Sequence, residues 1–517
     1  MILCQRMLRA ALCLPLLCSP AVWASTPRAE GVDDLLQPRE EKLLSVAISV
    51  TANTGQIRGF DQIWVSRIST EGDTPLRVNF VLEQLAPGMA RDTALFIGKV
   101  PPGTYRVSEL KARAAKKIVR LPENAHLANF VVGTEKQVDL GRLIVTPIGT
   151  NVLFGRSRRV VSNQHLMERF APVQAALFAR GADPGWLSGK DALAEGEAEA
   201  DAMRHPVGAD CMTELTDGRV IAASRMNTVL VRDQAGHWST LRGPGMESLL
   251  CVTPVDAAGT DMLAVGEFLT LLRKPTGVDQ LVPVDTGNLP FGTLLYICGN
   301  DTAGWFLALQ HDNELTIFHS TALEAGNWSP MRTENVAAEF LSGTSKFWMW
   351  QTAQGFAYTT VKGPLNYYNT ASKTWTARAT PKDAHLFGLT VTPTGSLGAL
   401  TSPALGVGGI FASTFVSSDQ ASTWQEIQVP FKSKVAPPVP ARDGKIFMPG
   451  GILSTPELQV SADGGTTWTQ AGLYTLGRRI TPLSSGALLD ADLGQTGMFT
   501  IRVSRDEGKS WQVEYRN

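Results

Sequence analysis

Three octets in the C-terminal third share one template, S-x-D-x-G-x-T/S-W, and their spacing constrains the fold more than any other feature. Ser461-Ala462-Asp463-Gly464-Gly465-Thr466-Thr467-Trp468 and Ser504-Arg505-Asp506-Glu507-Gly508-Lys509-Ser510-Trp511 fit fully. Ser417-Ser418-Asp419-Gln420-Ala421-Ser422-Thr423-Trp424 departs only in having Ala where Gly is expected. Weaker copies close on Trp375, Trp328 and Trp238, and Leu281 stands at the one expected position that lacks Trp. From Trp238 onward the spacings are 43, 47, 47, 49, 44 and 43 residues. A period of about 45 is that of a four-stranded propeller blade. Seven such turns predict seven blades over residues 207–517. The first unit reads as strands at 211–215, 220–224, 228–231 and 238–241, and the last at 480–483, 487–491, 499–503 and 511–515. Each blade is therefore expected to be contiguous in sequence, with the octet joining its third and fourth strands.

The octets resemble the Asp-box, or BNR repeat, of sialidases and several unrelated propellers. That resemblance implies a structural role for Ser417, Asp419 and Trp424, for Ser461, Asp463, Gly465 and Trp468, and for Ser504, Asp506, Gly508 and Trp511. Ser and Asp bond within the hairpin as ST and Asx turns do. Gly takes a backbone conformation that a Cβ disfavours, and Trp buries its ring between blades. Such turns lie on the outer rim of these families, so function is expected on the opposite face and at the channel mouth. Sialidase chemistry would need an arginine triad, a Tyr nucleophile with a Glu partner and an acid/base Asp. The R-I-P signature of sialidases does not occur here. Arg225 stands at about its place but is followed by Met226 and Asn227, and Tyr474 is the one candidate nucleophile near Arg478-Arg479.

Ahead of the repeats, residues 43–150 alternate apolar and polar in short runs: 44–50, 62–68, 76–82, 94–100, 104–111, 128–132 and 137–145. Seven short strands in about a hundred residues predict a small β-sandwich. Within it, Pro101-Pro102-Gly103-Thr104-Tyr105-Arg106-Val107 resembles the turn of prealbumin-like, carboxypeptidase-regulatory-type domains, which implies an accessory module. Residues 151–206 read as a helical linker. One helix is expected over 165–180, from Leu166, Phe170, Val173 and Leu177, and a charged one over 191–204. The fold class is thus all-β, a propeller preceded by a sandwich and a short helical linker.

The first 24 residues read as a signal peptide. Arg6 and Arg9 precede an apolar run at 10–22, and Val22-Trp23-Ala24 supplies the small positions before Ser25. Residues 25–42 are a polar lead-in. Leu17 before Cys18 argues against a lipoprotein, so export to a periplasm or beyond is expected, and no later run is apolar enough to span a bilayer.

Cleavage would remove Cys4, Cys13 and Cys18 and leave Cys211, Cys251 and Cys298, placed on the first strands of three successive blades. Three small buried residues are the preferred reading. A Cys211–Cys251 disulfide is the sharper alternative, and a soft-metal site the third. The net charge of −1 gives no electrostatic footprint for nucleic acid. The seven histidines are scattered, and no metal or cofactor is assigned. The reading taken forward is an exported binding or scaffold propeller, its partner an envelope protein or a glycan. The enzyme alternative is an exo-acting glycoside hydrolase of sialidase-like type.

Overall fold

The structure, a computed structural model, describes residues 42–517 apart from 53–59, 69–77, 86–92, 114–115, 122–126, 128, 149–150, 158–162, 188–189, 312, 337–346, 403–411, 431–433, 435, 453–454, 474–479 and 494–497. The signal-peptide assignment and Tyr474 lie outside the described residues.

Seven four-stranded antiparallel sheets form the propeller, with blades at 210–242, 249–283, 293–335, 347–378, 385–427, 439–473 and 480–516. In every blade the strand order in space is the order in sequence, so no strand is exchanged at the ring closure. Trp238 and Trp375 fall on the fourth strands of their blades, and Leu281, Trp328, Trp424, Trp468 and Trp511 directly precede theirs. The second strands are the most buried: Val220–Ala223, Met262–Gly266 and Gly304–His311 are buried at every position. A strand covered on both faces reads as a continuous apolar run, and these do.

Ahead of the propeller, ten strands hydrogen-bond into one sheet. They are β1 (Leu44–Ala52), β2 (Gln62–Arg67), β3 (Asn79–Gln84), β4 (Thr93–Val100), β5 (Gly103–Ala112), β6 (Lys117–Arg120), β7 (Phe130–Val132), β8 (Gln137–Ile148), β9 (Asn151–Arg156) and β10 (Ala182–Asp183). The order is β10-β8-β1-β4-β3-β2-β5-β6, with β7 on β5 and β9 on β8. The expected sandwich takes the form of a half-barrel: one sheet curls until Val46, Ile48, Val65, Phe96, Tyr105 and Leu143 share a single core. Tyr105 Oη donates to Pro101 O at 2.7 Å, which ties the Pro-Pro-Gly turn to that core.

The other face of β1 and β4, Ala47 and Leu95, is covered by helices α1 (Gln164–Phe170) and α2 (Pro172–Phe178) through Leu166, Met167, Ala175 and Phe178. Here the expectation of one helix over 165–180 is corrected. Pro172 has no N–H to donate, and the chain breaks at Ala171 (φ −155°) before restarting with Pro in the first turn. The sheet also runs past the expected boundary at 150, because β9 forms a hairpin with β8. Helix α3 (Lys190–Arg204) then leads into the propeller.

Candidate functional site

The propeller has two ends of different character. At the end carrying the third-to-fourth-strand turns, each complete octet closes on itself. Ser461 Oγ donates to Asp463 Oδ1 at 2.8 Å and accepts from Gly465 N at 2.8 Å. Asp463 accepts from Thr467 N at 2.8 Å and Thr467 Oγ1 at 2.6 Å. The turns at Asp419 and Asp506 repeat this pattern. Bonds from Thr467 and Ser510, and from the Thr423 N–H and hydroxyl, pull the three carboxyls down to about 2. A carboxylate so held has no proton to give at neutral pH. The rings of Trp424, Trp468 and Trp511 are half-buried rather than fully buried, and the first two bridge to the preceding blade. Trp424 Nε1 donates to Ala379 O at 3.1 Å, and Trp468 Nε1 to Gln428 O at 2.8 Å.

The opposite end, formed by the second-to-third-strand turns and the inter-blade connections, is where function was expected. Over blades 1 and 2 this loop face is covered by the half-barrel. Arg142 of β8 pairs with Glu247 of the connection between blades 1 and 2, and both side chains are 1% exposed. The Arg142 guanidinium also lies 3.6 Å from the centroid of the Phe268 ring, and donates to Thr51 Oγ1 at 3.1 Å and Ser157 Oγ at 2.7 Å. Glu247 Oε2 accepts from Met246 N at 3.1 Å and Asn227 Nδ2 at 3.3 Å. Around this polar centre, Ile144, Ala202, Met203, Met226 and Met246 form a continuous apolar layer between sheet, helix and propeller. Met226-Asn227 and Phe268-Leu269, the turns beneath it, are all at positive φ (51° to 58°). Non-glycine residues hold that conformation at a cost, and the packing from above offsets it. Sequence reasoning missed this pair. Its one sequence trace is Arg142 interrupting an apolar run in β8.

The sulfurs of Cys211 and Cys251 are bonded, with Cα atoms 4.9 Å apart, which joins the first strands of blades 1 and 2. Cys298 is a buried free thiol whose pKa burial pushes up. The ring closes through side chains: Arg232 of blade 1 donates from Nε and Nη2 to Glu514 of blade 7 at 2.7 and 2.8 Å. Trp238 Nε1 donates to the same carboxylate at 3.4 Å, and Ser484 N and Oγ donate to Glu214.

Arg225 lies on the loop face in the field of Asp210 and Glu267 of this chain, whose charges oppose the lowering of its pKa by burial. A Tyr/Glu pair that sequence reasoning did not find lies between blades 3 and 4. Tyr358 Oη donates to Glu334 Oε1, and Arg332 Nε is 3.0 Å from the same oxygen. Tyr358 is fully buried, and burial, then the bond to Glu334, pushes its hydroxyl pKa up. A nucleophile needs the reverse. Among the described residues, no group of three or more His, Cys, Asp or Glu could hold a metal ion, and no helix is long and apolar enough to cross a membrane.

No protein-family model matches the chain. No curated protein matches it. Among solved structures it is similar to YCF48 from Cyanidioschyzon merolae, at 13% identity and TM-score 0.38, covering 59% of this chain and 94% of that one. It is also similar to YCF48 bound to D1 peptide, at 16% identity and TM-score 0.41, covering 56% and 91%. A catalytically inactive virginiamycin B lyase from Staphylococcus aureus with quinupristin matches at 11% identity and TM-score 0.37, covering 59% and 93%. Likeness at these scores carries no argument about what this chain binds or does.

Proposed function

We propose that this chain is an exported binding or scaffold propeller of Asp-box type, which recognises an envelope protein or a glycan through the loop face and channel mouth of the blades the half-barrel leaves uncovered. The observation that carries this reading is the use already made of that face. Over blades 1 and 2 its loops hold a folded sheet, through an apolar layer around a fully desolvated ion pair. That is the anatomy of a protein interface, an apolar centre built around a paired charge. Loops on a rigid scaffold are the usual place for recognition. Catalysis by the sialidase route is disfavoured, because Arg225 lies in the field of Asp210 and Glu267 of this chain and Tyr358, which donates to Glu334, is fully buried.

A photo-reactive side chain placed at Lys382, exposed on the connection between blades 4 and 5, should cross-link a discrete envelope component or glycan. The same group at Lys509, on the octet face, should not. Equal labelling from both positions would count against the reading. Hydrolysis of fluorogenic glycosides that disappears with Tyr358→Phe or Arg225→Ala would replace it with the glycosidase.

A further inference from the structure

Six blades carry Trp where the fourth strand begins, and blade 2 carries Leu281. What the ring does there is visible in blades 5 and 6. The indole N–H reaches the carbonyl of the residue that follows the preceding blade's fourth strand, Ala379 after Thr374–Arg378 and Gln428 after Gln425–Ile427. The corresponding residue of blade 1 is Gly243, directly after Trp238–Arg242. Leu281 cannot reach it in that way. Its side chain is buried with Ile221, Leu249 and Met262 in the layer between blades 1 and 2, while its backbone N–H donates to Arg242 O at 2.9 Å.

Beside it lies a groove of about 520 Å³, lined by Thr240, Arg242, Gly243, Pro244, Gln280 and Leu281 among others. A second depression of about 330 Å³, between Val231, Leu241, Met262 and Lys274, shares Asp279 with the first. Clefts that take small molecules span roughly 300–1,000 Å³. The charges on the walls are unequal. Arg219 is paired with Asp217, which leaves Arg242 and Lys274 against Asp279.

We propose that this groove is a docking site for a tryptophan side chain supplied by another protein, on an extended segment with acidic residues beside the Trp. Blades 5 and 6 are the precedent for the occupant: there the corresponding seam takes an indole, with its N–H on the corresponding carbonyl. Arg242 and Asp279 balance within the groove itself, and Lys274 on the adjoining depression adds the positive charge that favours acidic flanks. A buried aromatic anchor is the commonest hot spot of a protein interface. The groove is on the outer rim of blades 1 and 2, so it stands or falls apart from the loop-face reading.

The test uses the full chain and a short acidic peptide containing one 5-fluorotryptophan, followed by fluorine NMR. The peptide resonance should shift and broaden with the wild-type chain. Leu281→Trp and Thr240→Trp close the groove from opposite walls, and each should weaken binding by about tenfold or more, as loss of an anchor does. Arg242→Glu should weaken it several-fold. Circular dichroism identifies which filled variant is folded, and either one suffices. No response from the wild-type chain at millimolar peptide, or undiminished binding by a folded, filled variant, would overturn the proposal.

Discussion

The octet turns and the seat of the half-barrel both depend on carboxylates, under opposite conditions. Asp463 and Asp506 sit in water and are held by bonds from residues two to four positions away. Glu247 is desolvated and paired with an arginine 105 residues distant. The first arrangement is local, repeated and modest in energy, because water competes for every bond. The second is single and unforgiving. A buried charge that loses its partner has no solvent to replace it. The motif that stands out in the sequence is therefore not where the largest energies lie.

That contrast can be tested in order of expected effect. Glu247→Ala strands the Arg142 guanidinium, and by the usual cost of breaking a buried pair it should destabilise the chain by about 3–5 kcal/mol in denaturant melts. Glu514→Ala opens the blade 7–blade 1 seam around a slightly more exposed pair and should cost about 3 kcal/mol. Gly465→Ala comes next. Its φ is +92°, and an added Cβ would stand 2.5 Å from Ile427 Cγ2, so about 1–3 kcal/mol is expected. Ala421 already occupies that turn position in blade 5 at φ +66°, so Ala421→Gly should be near neutral or slightly stabilising.

The smallest effect is the pH dependence of the octets. Their folded pKa values are depressed to about 2 from the ordinary aspartate value of 3.8. The stability they contribute is thus fully present above about pH 4 and is lost as pH falls from there towards 2. Acid titration of Asp463→Asn against the parent should show a shallower loss in that window. An identical slope would mean the turns contribute nothing through their charge.

The difference between the two regions also explains what could be read from the sequence. The seven fourth strands were legible because each repeats a Trp, or Leu281, at its start, and the first-strand cysteines because they repeat at the blade period. A periodic feature announces itself. Seven of the ten half-barrel strands were legible one by one from alternation, and β6, β9 and β10 were not; the closing into one sheet depends on pairings such as β1 with β8, which lie about ninety residues apart. The break between α1 and α2 was written in Pro172 and was overridden by helical spacing on either side. Arg142 with Glu247, and Tyr358 with Glu334, have no spacing rule at all. Each pair meets only because separate elements pack, so neither charge predicts its partner. Arg225 shows the converse: its position in the sequence resembled a catalytic signature, and the fold places it in the field of Asp210 and Glu267.

The cysteines give a separate check on the blade 1–blade 2 seam, where disulfide and groove lie on the inner and outer sides. For the chain cleaved after Ala24, as the export proposal has it, intact mass after alkylation under denaturing, non-reducing conditions should show one modified thiol, Cys298, and three after reduction. In the native chain Cys298 should resist alkylation, because it is buried and burial raises its pKa. Three modified thiols without reductant would remove the disulfide.

The central claim is that the half-barrel is seated on the loop face through Arg142 and Glu247. A double-mutant cycle tests it most directly, comparing Arg142→Met, Glu247→Leu and the pair by chemical denaturation. Each single substitution should cost about 3–5 kcal/mol, and the double should recover most of that loss, giving a coupling energy above about 2 kcal/mol. Additive losses, with coupling within about 0.5 kcal/mol of zero, would mean that the two side chains do not meet and that the seat described here is wrong.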